Sequence, residues 1–181
     1  MFVDSPPSNS FLQSFHTQTI ESKNPNMKKR EAIAARVRKF EAGDVENVLS
    51  LAQKYASWDA TPTREDIEGF HSANPEFFFV AELNKKIVGF VYGRESNPPA
   101  EVLDKWKSRK VASVETLAVD KDYRRHGIAT SLLKELFAEF KRNEVDLVTL
   151  SVPAAEKAAM RLYGKMGFEP RAQFLWKRLA E

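Results

Sequence analysis

Hydrophobic and polar residues are spaced in blocks along this chain, and each block predicts one element. Alternating positions predict strands, because successive side chains of a strand point to opposite faces, and apolar positions three or four apart predict a helical face. The first half therefore predicts a strand, two helices and a hairpin, at residues 35–40, 45–56, 63–70, 77–83 and 86–92. Thr63 and Asp66 form a capping pair for the second helix, and Asn84-Lys85 is the hairpin turn.

The second half begins with a connection over residues 95–109 that contains two adjacent prolines. After it the spacing predicts strand, helix, strand, helix and strand, at residues 114–119, 128–140, 146–152, 154–165 and 172–179. The complete order, β-α-α-β-β-β-α-β-α-β, indicates an α/β (α+β) fold with a mixed sheet flanked by helices.

Candidate chemistry is concentrated in residues 114–133, where a strand ends at Val119 and a helix begins at Ile128. The turn between them places two arginines and Gly127 directly before the helix. Unpaired N–H groups and the positive end of the helix dipole make such a position suitable for an anion. A basic turn on its own is more often a solvated helix start, but the strand–turn–helix setting favours an anion site.

Composition narrows the classes of function. The chain has 181 residues, enough for one domain, and its net charge of +3 is too small to indicate nucleic acid. It contains no cysteine, which excludes a disulfide framework, a thiolate zinc site and a cysteine nucleophile. The histidines lack metal-ligand spacing, so no metal is predicted. No apolar run has the length of a membrane span, and we expect a cytoplasmic protein without membrane or nucleic-acid partners.

Residues 1–30 differ from the rest because they are rich in Ser and Pro and have few paired apolar positions. They predict a disordered tail, which leaves the domain at residues 31–181. The tail has neither the apolar core of a secretory signal nor the arginines of a transit peptide. Met27 offers an alternative start, and the sequence leaves open whether the residues before it are native.

Two motifs and the order of elements resemble the GCN5-related N-acetyltransferase (GNAT) superfamily. Residues 124–129 meet its pattern of Gln or Arg, two residues, Gly, one residue, and Gly or Ala, while residues 159–168 match Ala-x-x-Leu-Tyr followed by Gly-Phe. The resemblance covers about residues 34–180. It implies a mostly antiparallel twisted sheet of about six or seven strands with about four helices, and central parallel strands that splay apart.

The resemblance also implies an activity: transfer of acetyl from acetyl-CoA to a primary amine by direct attack. The amine would belong to a protein N-terminus, a lysine or a small molecule. The alternative is a non-catalytic acyl-CoA-binding or regulatory module. Either would be a monomer or a homodimer.

The same resemblance implies where acetyl-CoA binds. Its pyrophosphate would contact backbone N–H groups of residues 125–130, and its pantetheine amides would pair with the strand edge at residues 117–119. The implied cofactor-binding residues are Leu117, Ala118, Val119, Arg124, Arg125, His126, Gly127, Ile128, Ala129, Thr130 and Glu156. His126 is expected to contribute only its backbone, with its side chain at the surface. Glu156 replaces the Asn of many family members, and a carboxylate accepts hydrogen bonds without donating any.

Glu115 and Tyr163 are the candidates for proton transfer. Alternation places Glu115 on the same face as Leu117 and Val119, where a carboxylate is costly unless it has a task or a partner. We therefore expect it to be a base or a substrate ligand, or else to pair with a nearby Lys or Arg. The resemblance implies that Tyr163 protonates the leaving thiol; the alternative is a tyrosine that only packs in the core.

The acceptor amine is the part of the reaction that the sequence defines least. The resemblance implies a groove built from Trp58, Phe70, His71, residues 95–110 and residues 174–176. A basic run lies within it, at Lys105, Lys107, Arg109 and Lys110. This run would meet an acidic acceptor, the 3′-phosphate of CoA, or only water.

Overall fold

The computed structural model describes residues 34–56 and 60–179, so the predicted tail and Trp58 lie outside the described residues. Its five strands form one sheet in chain order: β1 (Arg36–Lys39), β2 (Phe78–Leu83), β3 (Lys86–Ser96), β4 (Val111–Val119) and β5 (Leu147–Leu150). All neighbours are antiparallel except β4 and β5, which are parallel. The α-helices are α1 (Val45–Tyr55), α2 (Arg64–Ala73), α3 (Ala100–Trp106), α4 (Ile128–Arg142) and α5 (Lys157–Lys165). The predicted mixed architecture is confirmed.

Helices cover both faces of the sheet. The apolar side of α4 packs on one face, with Leu132, Leu136 and Phe140 fully buried, as its spacing predicts. Helices α1 and α2 pack on the other face through residues such as Val48 and Ile67. Each fully buried large apolar side chain stabilises the fold by roughly 1.5–3 kcal/mol. Within the described residues, no helix is both long and apolar enough to cross a membrane.

The predicted last strand, residues 172–179, does not form, so the sheet of the described residues has five strands and not six or seven. Alternation shows only that a segment suits a strand, whereas strand formation also needs a neighbouring edge. Here residues 172–179 pair with no strand, and the Arg171 guanidinium lies 5.2 Å from the centre of the Trp106 ring.

The connection at residues 95–109 also differs from its prediction, because β3 continues to Ser96 and α3 follows. The two prolines indicate a loop, but Pro99 is the N-cap of α3, a short helix with no buried residue. The described chain therefore has five α-helices where about four were expected. The turn and cap predictions are confirmed: Asn84 and Lys85 have φ of 49° and 63°, and Thr63 and Asp66 form a capping box.

A charged cluster joins β1 to the start of α1. Arg38 donates to both carboxylate oxygens of Asp44, at 2.6 and 2.8 Å, and to Glu82 at 2.9 Å. Burial opposes ionisation of Asp44, but the hydrogen bonds from Arg38 and the Glu41 N–H, with the Arg38 charge, outweigh it and lower its pKa. The cluster therefore fixes how α1 leaves the sheet.

Candidate active site

A bulge interrupts β4 at Glu115. The strand register pairs Tyr92 with Thr116 and the next residue, Gly93, with Val114, so Glu115 is the extra residue without a partner in β3. A bulge of this kind bends a strand and redirects its side chains.

The bulge moves Glu115 to the other face of the sheet from that predicted. Leu117 and Val119 contact the core under α4. Glu115 instead accepts hydrogen bonds from the Ser113 hydroxyl and from Arg94 Nε, the latter at 2.9 Å. The prediction that Glu115 shares a face with Leu117 and Val119 is wrong, because alternation assumes a strand without an inserted residue.

The ion pair of Arg94 and Glu115 is open to solvent, since their side chains are 54% and 33% exposed. Exposed pairs contribute only about 0–1 kcal/mol, so a cationic ligand can replace Arg94 at little cost. Tyr92 lies one pair along the strand and stacks on Phe70, with ring centres 4.7 Å apart. Burial, with the Glu115 charge, raises the pKa of Tyr92 and keeps its hydroxyl protonated. Sequence reasoning missed Arg94 and Tyr92, because their position depends on pairing between strands.

Beyond Val114 and Leu150, the last pair of their register, β4 and β5 separate. The predicted splay is confirmed, and it opens a cleft of about 270 Å³. Its lining includes the predicted residues Glu115, Leu117, Glu156 and Tyr163, together with Thr116, Ser151, Val152 and Ala159. The structure thus brings both catalytic candidates to one cavity.

Tyr163 projects from α5 into this cleft, and its ring meets Phe168 edge to face at 5.7 Å. Burial raises the pKa of Tyr163 above its usual value, so the hydroxyl is protonated at neutral pH. A protonated hydroxyl facing a cleft can donate a proton to a leaving group.

The loop after β4 leads to the start of α4, where Gly127 is the N-cap with φ of 83°. The first backbone hydrogen bond of α4 runs from Ser131 N to Gly127 O at 2.9 Å. Within residues 34–56 and 60–179, no hydrogen bond uses the N–H groups of residues 125–130. The first turn of α4 has no acidic side chain, and a Cβ at Gly127 would meet no atom within 4 Å. This loop therefore fits an anion such as a pyrophosphate.

Arg124 is held by the protein itself. Its Nε donates to the Val119 carbonyl at 2.9 Å, and its guanidinium lies 4.9 Å from the centre of the Tyr55 ring. The Tyr55 hydroxyl donates to Asp120 and accepts from the Lys121 N–H, both at 3.2 Å. Arg124 thus fixes the loop more than it adds free charge to it. The sequence missed Tyr55, whose place at the end of α1 gives no hint of this contact.

The predicted acceptor groove is assembled only in part. Phe70 lies beside Tyr92, whereas Phe174, Leu175 and Trp176 are 92%, 83% and 73% exposed. His71 packs on Phe40, with ring centres 4.9 Å apart. His126 is half-buried with Nδ1 unpaired among the described residues, so the expectation of a surface side chain is wrong.

Carboxylates bind the last two residues of the basic run, Arg109 and Lys110. Lys110 pairs with Glu95 at 2.8 Å. Asp146 accepts from the Ser108 hydroxyl and from the N–H groups of Arg109 and Lys110, which lowers its pKa to about 2. In the described part of the chain, no group of three or more His, Cys, Asp or Glu residues could hold a metal.

The sequence profile of the Acetyltransferase (GNAT) family matches residues 45–168, a span that contains the bulge, the cleft and the loop. The chain belongs to this family. An uncharacterized N-acetyltransferase of Methanocaldococcus jannaschii is 32% identical over 136 residues, which cover 75% of this chain and 78% of that protein. The chain spans 39% or less of the length of several other curated relatives.

Solved structures show the same fold. Ard1 from Thermoplasma volcanium matches with a TM-score of 0.66 at 27% identity. The match covers 77% of this chain and 86% of the Ard1 chain. The NatC complex bound to Gag peptide and CoA has a TM-score of 0.67 at 20% identity, with 76% and 86% covered. The latter likeness concerns the fold alone.

Proposed function

We propose that the GNAT chain is an acetyl-CoA-dependent N-acetyltransferase that moves an acetyl group to a primary amine by direct attack. One observation carries the proposal: a loop of unpaired N–H groups at the start of α4 follows the strand whose splayed edge lines the cleft of Glu115 and Tyr163. The loop suits a pyrophosphate, and the cleft contains a carboxylate and a protonated hydroxyl. Relatives named N-acetyltransferases, and the CoA of the NatC structure, support this reading.

Residues 125–130 would hold the pyrophosphate by their backbone N–H groups, with Gly127 leaving room for its approach. The free edge of β4 at residues 117–119 would pair with the pantetheine amides, although the Val119 carbonyl already accepts from Arg124. Glu156 begins α5 beside the cleft and can accept one amide N–H. Acetyl-CoA supplies the thioester whose acetyl group is transferred.

Two side chains, Glu115 and Tyr163, would carry out the proton transfers. Glu115 binds the incoming ammonium or takes its proton, directly or through water, because only the neutral amine is nucleophilic. This requires the amine to displace Arg94, which the exposed ion pair permits. As the amine nitrogen bonds to the acetyl carbon, the carbon–sulfur bond breaks and Tyr163 protonates the sulfur. The nitrogen then releases its extra proton to water, and Tyr163 takes a proton back from water. The products are an amide and CoA thiol.

The acceptor is a protein N-terminus, a lysine or a small amine. The second candidate function is an acyl-CoA-binding or regulatory module without catalysis. Two observations favour it: Arg94 neutralises Glu115, and Glu156 cannot donate a hydrogen bond where Asn would.

Binding and turnover separate the two candidates. Calorimetry and thermal shift with acetyl-CoA measure binding, and thiol release across amines and peptides measures turnover. Tyr163→Phe should lower turnover by about 10²–10⁴-fold with little change in acetyl-CoA affinity. Tyr123→Phe, which removes a hydroxyl outside the cleft, is the matched control. Binding without turnover on the whole panel would favour the module, and no binding would refute both.

A second pair of variants tests Glu115. Glu115→Gln should lower kcat/KM, because it removes the charge that receives the amine. Arg94→Met should preserve turnover, because the carboxylate remains. If neither variant changes kcat/KM, Glu115 serves only as the partner of Arg94, and its catalytic role is wrong.

A further inference from the structure

The ion pair of Arg94 and Glu115 leaves hydrogen-bonding groups of both side chains unoccupied. Arg94 donates from Nε to Glu115 Oε1, and the Ser113 hydroxyl donates to the same oxygen. Within the described residues, Nη1 and Nη2 of Arg94 donate to no protein atom, and Glu115 Oε2 accepts from none. A guanidinium binds a carboxylate best through two parallel N–H groups, so this single bond leaves both partners able to bind a ligand.

The position of the pair places it next to the proposed reaction. Glu115 is the extra residue of the bulge, and it lines the cleft that contains Tyr163. Arg94 lies two residues beyond Tyr92, so both side chains project from the same face of β3. Tyr92 is buried and stacks on Phe70, whereas the Arg94 side chain is 54% exposed. Arg94 therefore presents its guanidinium to solvent directly beside a residue of the cleft.

An incoming amine changes the charge balance at this pair. While Arg94 is bound to Glu115, the two side chains carry no net charge. An ammonium that replaces Arg94 on Glu115 leaves the guanidinium without a partner and beside a second cation, which like-charge repulsion opposes. Among the described residues, Arg94 forms an ion pair with Glu115 alone, and the adjacent Glu95 is held by Lys110 at 2.8 Å. A carboxylate on the acceptor would restore the balance.

We propose that the acceptor carries a carboxylate close to its amine, so that its ammonium binds Glu115 while its carboxylate binds Arg94. One ion pair within the protein is then exchanged for two with the ligand, and both Nη groups of Arg94 gain an acceptor. Two sources have this chemistry: a free α-amino acid, and a polypeptide whose first residue is acidic. In both, the two charged groups are only a few bonds apart, which suits a pair whose Nε and Oε1 lie 2.9 Å apart. The inference rests on the proposed acetyl transfer, but binding at this site is measurable without turnover.

Paired acceptors that differ only in the carboxylate test the proposal. A peptide that begins with glutamate is compared with the same peptide beginning with glutamine, and free alanine is compared with alaninamide. We expect kcat/KM of the parent to be about 10- to 100-fold higher for the carboxylate member, because hydrogen bonds to charged groups contribute that much. Alaninamide has the less basic amine, so it would react faster if the carboxylate were not bound. The pair that shows the preference identifies the source, small molecule or polypeptide.

Arg94→Met should abolish this preference by lowering kcat/KM of the carboxylate member to about that of its amide partner. Arg94→Lys, which keeps the charge but not the paired N–H groups, should restore only part of it. Because Arg94 is exposed, both variants should keep the melting temperature of the parent. Arg36→Met is the matched control, since it removes an exposed arginine of β1, two strands away in the sheet. Equal rates within both pairs, or a preference that Arg94→Met leaves intact, would refute the carboxylate site.

Binding measurements distinguish failure of this site from failure of acetyl transfer. Calorimetry in the presence of CoA gives the Kd of each paired acceptor on the parent and on Arg94→Met. Tighter binding of the carboxylate member that depends on Arg94, without any thiol release, would support the site and contradict the transfer. Thiol release at equal rates within each pair would support the transfer and contradict the site. Equal binding within both pairs and no thiol release would refute both.

Discussion

Gly127 offers the sharpest test of the proposed pyrophosphate loop. Its φ of 83° lies in the left-handed region, where an L-residue costs about 1–2 kcal/mol. A Cβ there would meet no atom within 4 Å, so Gly127→Ala adds no clash to the free protein. We therefore expect Gly127→Ala to lower the unfolding free energy by about 1–2 kcal/mol, or roughly 3–6 °C in melting temperature for a domain of this size.

The effect on acetyl-CoA should be larger. The methyl group would occupy the space through which the pyrophosphate reaches the loop, and losing one charge-assisted hydrogen bond costs about 1.5–3 kcal/mol. The Kd measured by calorimetry should thus rise about 10- to 100-fold. Gly127→Glu, which adds a like charge, should abolish binding.

Two controls separate backbone strain from loss of space. Gly127→Asn should keep most of the stability, because Asn tolerates positive φ, yet it should still weaken binding. Gly69→Ala, in α2 with open space and no positive φ, should raise stability by about 0.5–1 kcal/mol and leave affinity unchanged. If Gly127→Ala and Gly127→Asn both bind acetyl-CoA as the parent does, the ligand does not approach this loop and the reasoning is wrong.

Further predictions concern the packing and charges that hold the site. Gly93→Ala should destabilise by about 1–3 kcal/mol in urea unfolding, because its Cβ would lie 2.6 Å from Phe140 Cζ and 2.9 Å from the Ser113 carbonyl; an unchanged midpoint would contradict this packing. Asp44→Asn should cost about 2–4 kcal/mol at pH 7, because it leaves Arg38 partly buried without its bidentate partner. Since folding lowers the pKa of Asp44 from 3.8, its contribution is present above that value and is lost as pH falls further. The difference between parent and Asp44→Asn should therefore shrink below pH 3.8, and a constant difference would refute the linkage.

Local signals predicted most elements but not those that depend on a partner. The face of α4, the turn at Asn84-Lys85 and the cap at Thr63 were all correct, because apolar periodicity and turn chemistry act within a few residues. α3 was missed because it is only 7 residues long and follows two adjacent prolines, which indicate a loop. The last strand was predicted from alternation, yet residues 172–179 pair with no strand of the sheet.

The candidate site divides in the same way. The sequence by itself determined the loop with Gly127, the helix that follows it and the tyrosine at residue 163, because glycine conformation and helical spacing are properties of the local chain. Only the tertiary structure decided where Glu115 points, since a bulge is defined by register against β3 and not by the residues of β4. It likewise revealed Arg94 as the partner of Glu115 and Tyr55 as the support of Arg124. These contacts join residues 21 and about 70 positions apart, and nothing in local spacing reports an interaction across such distances.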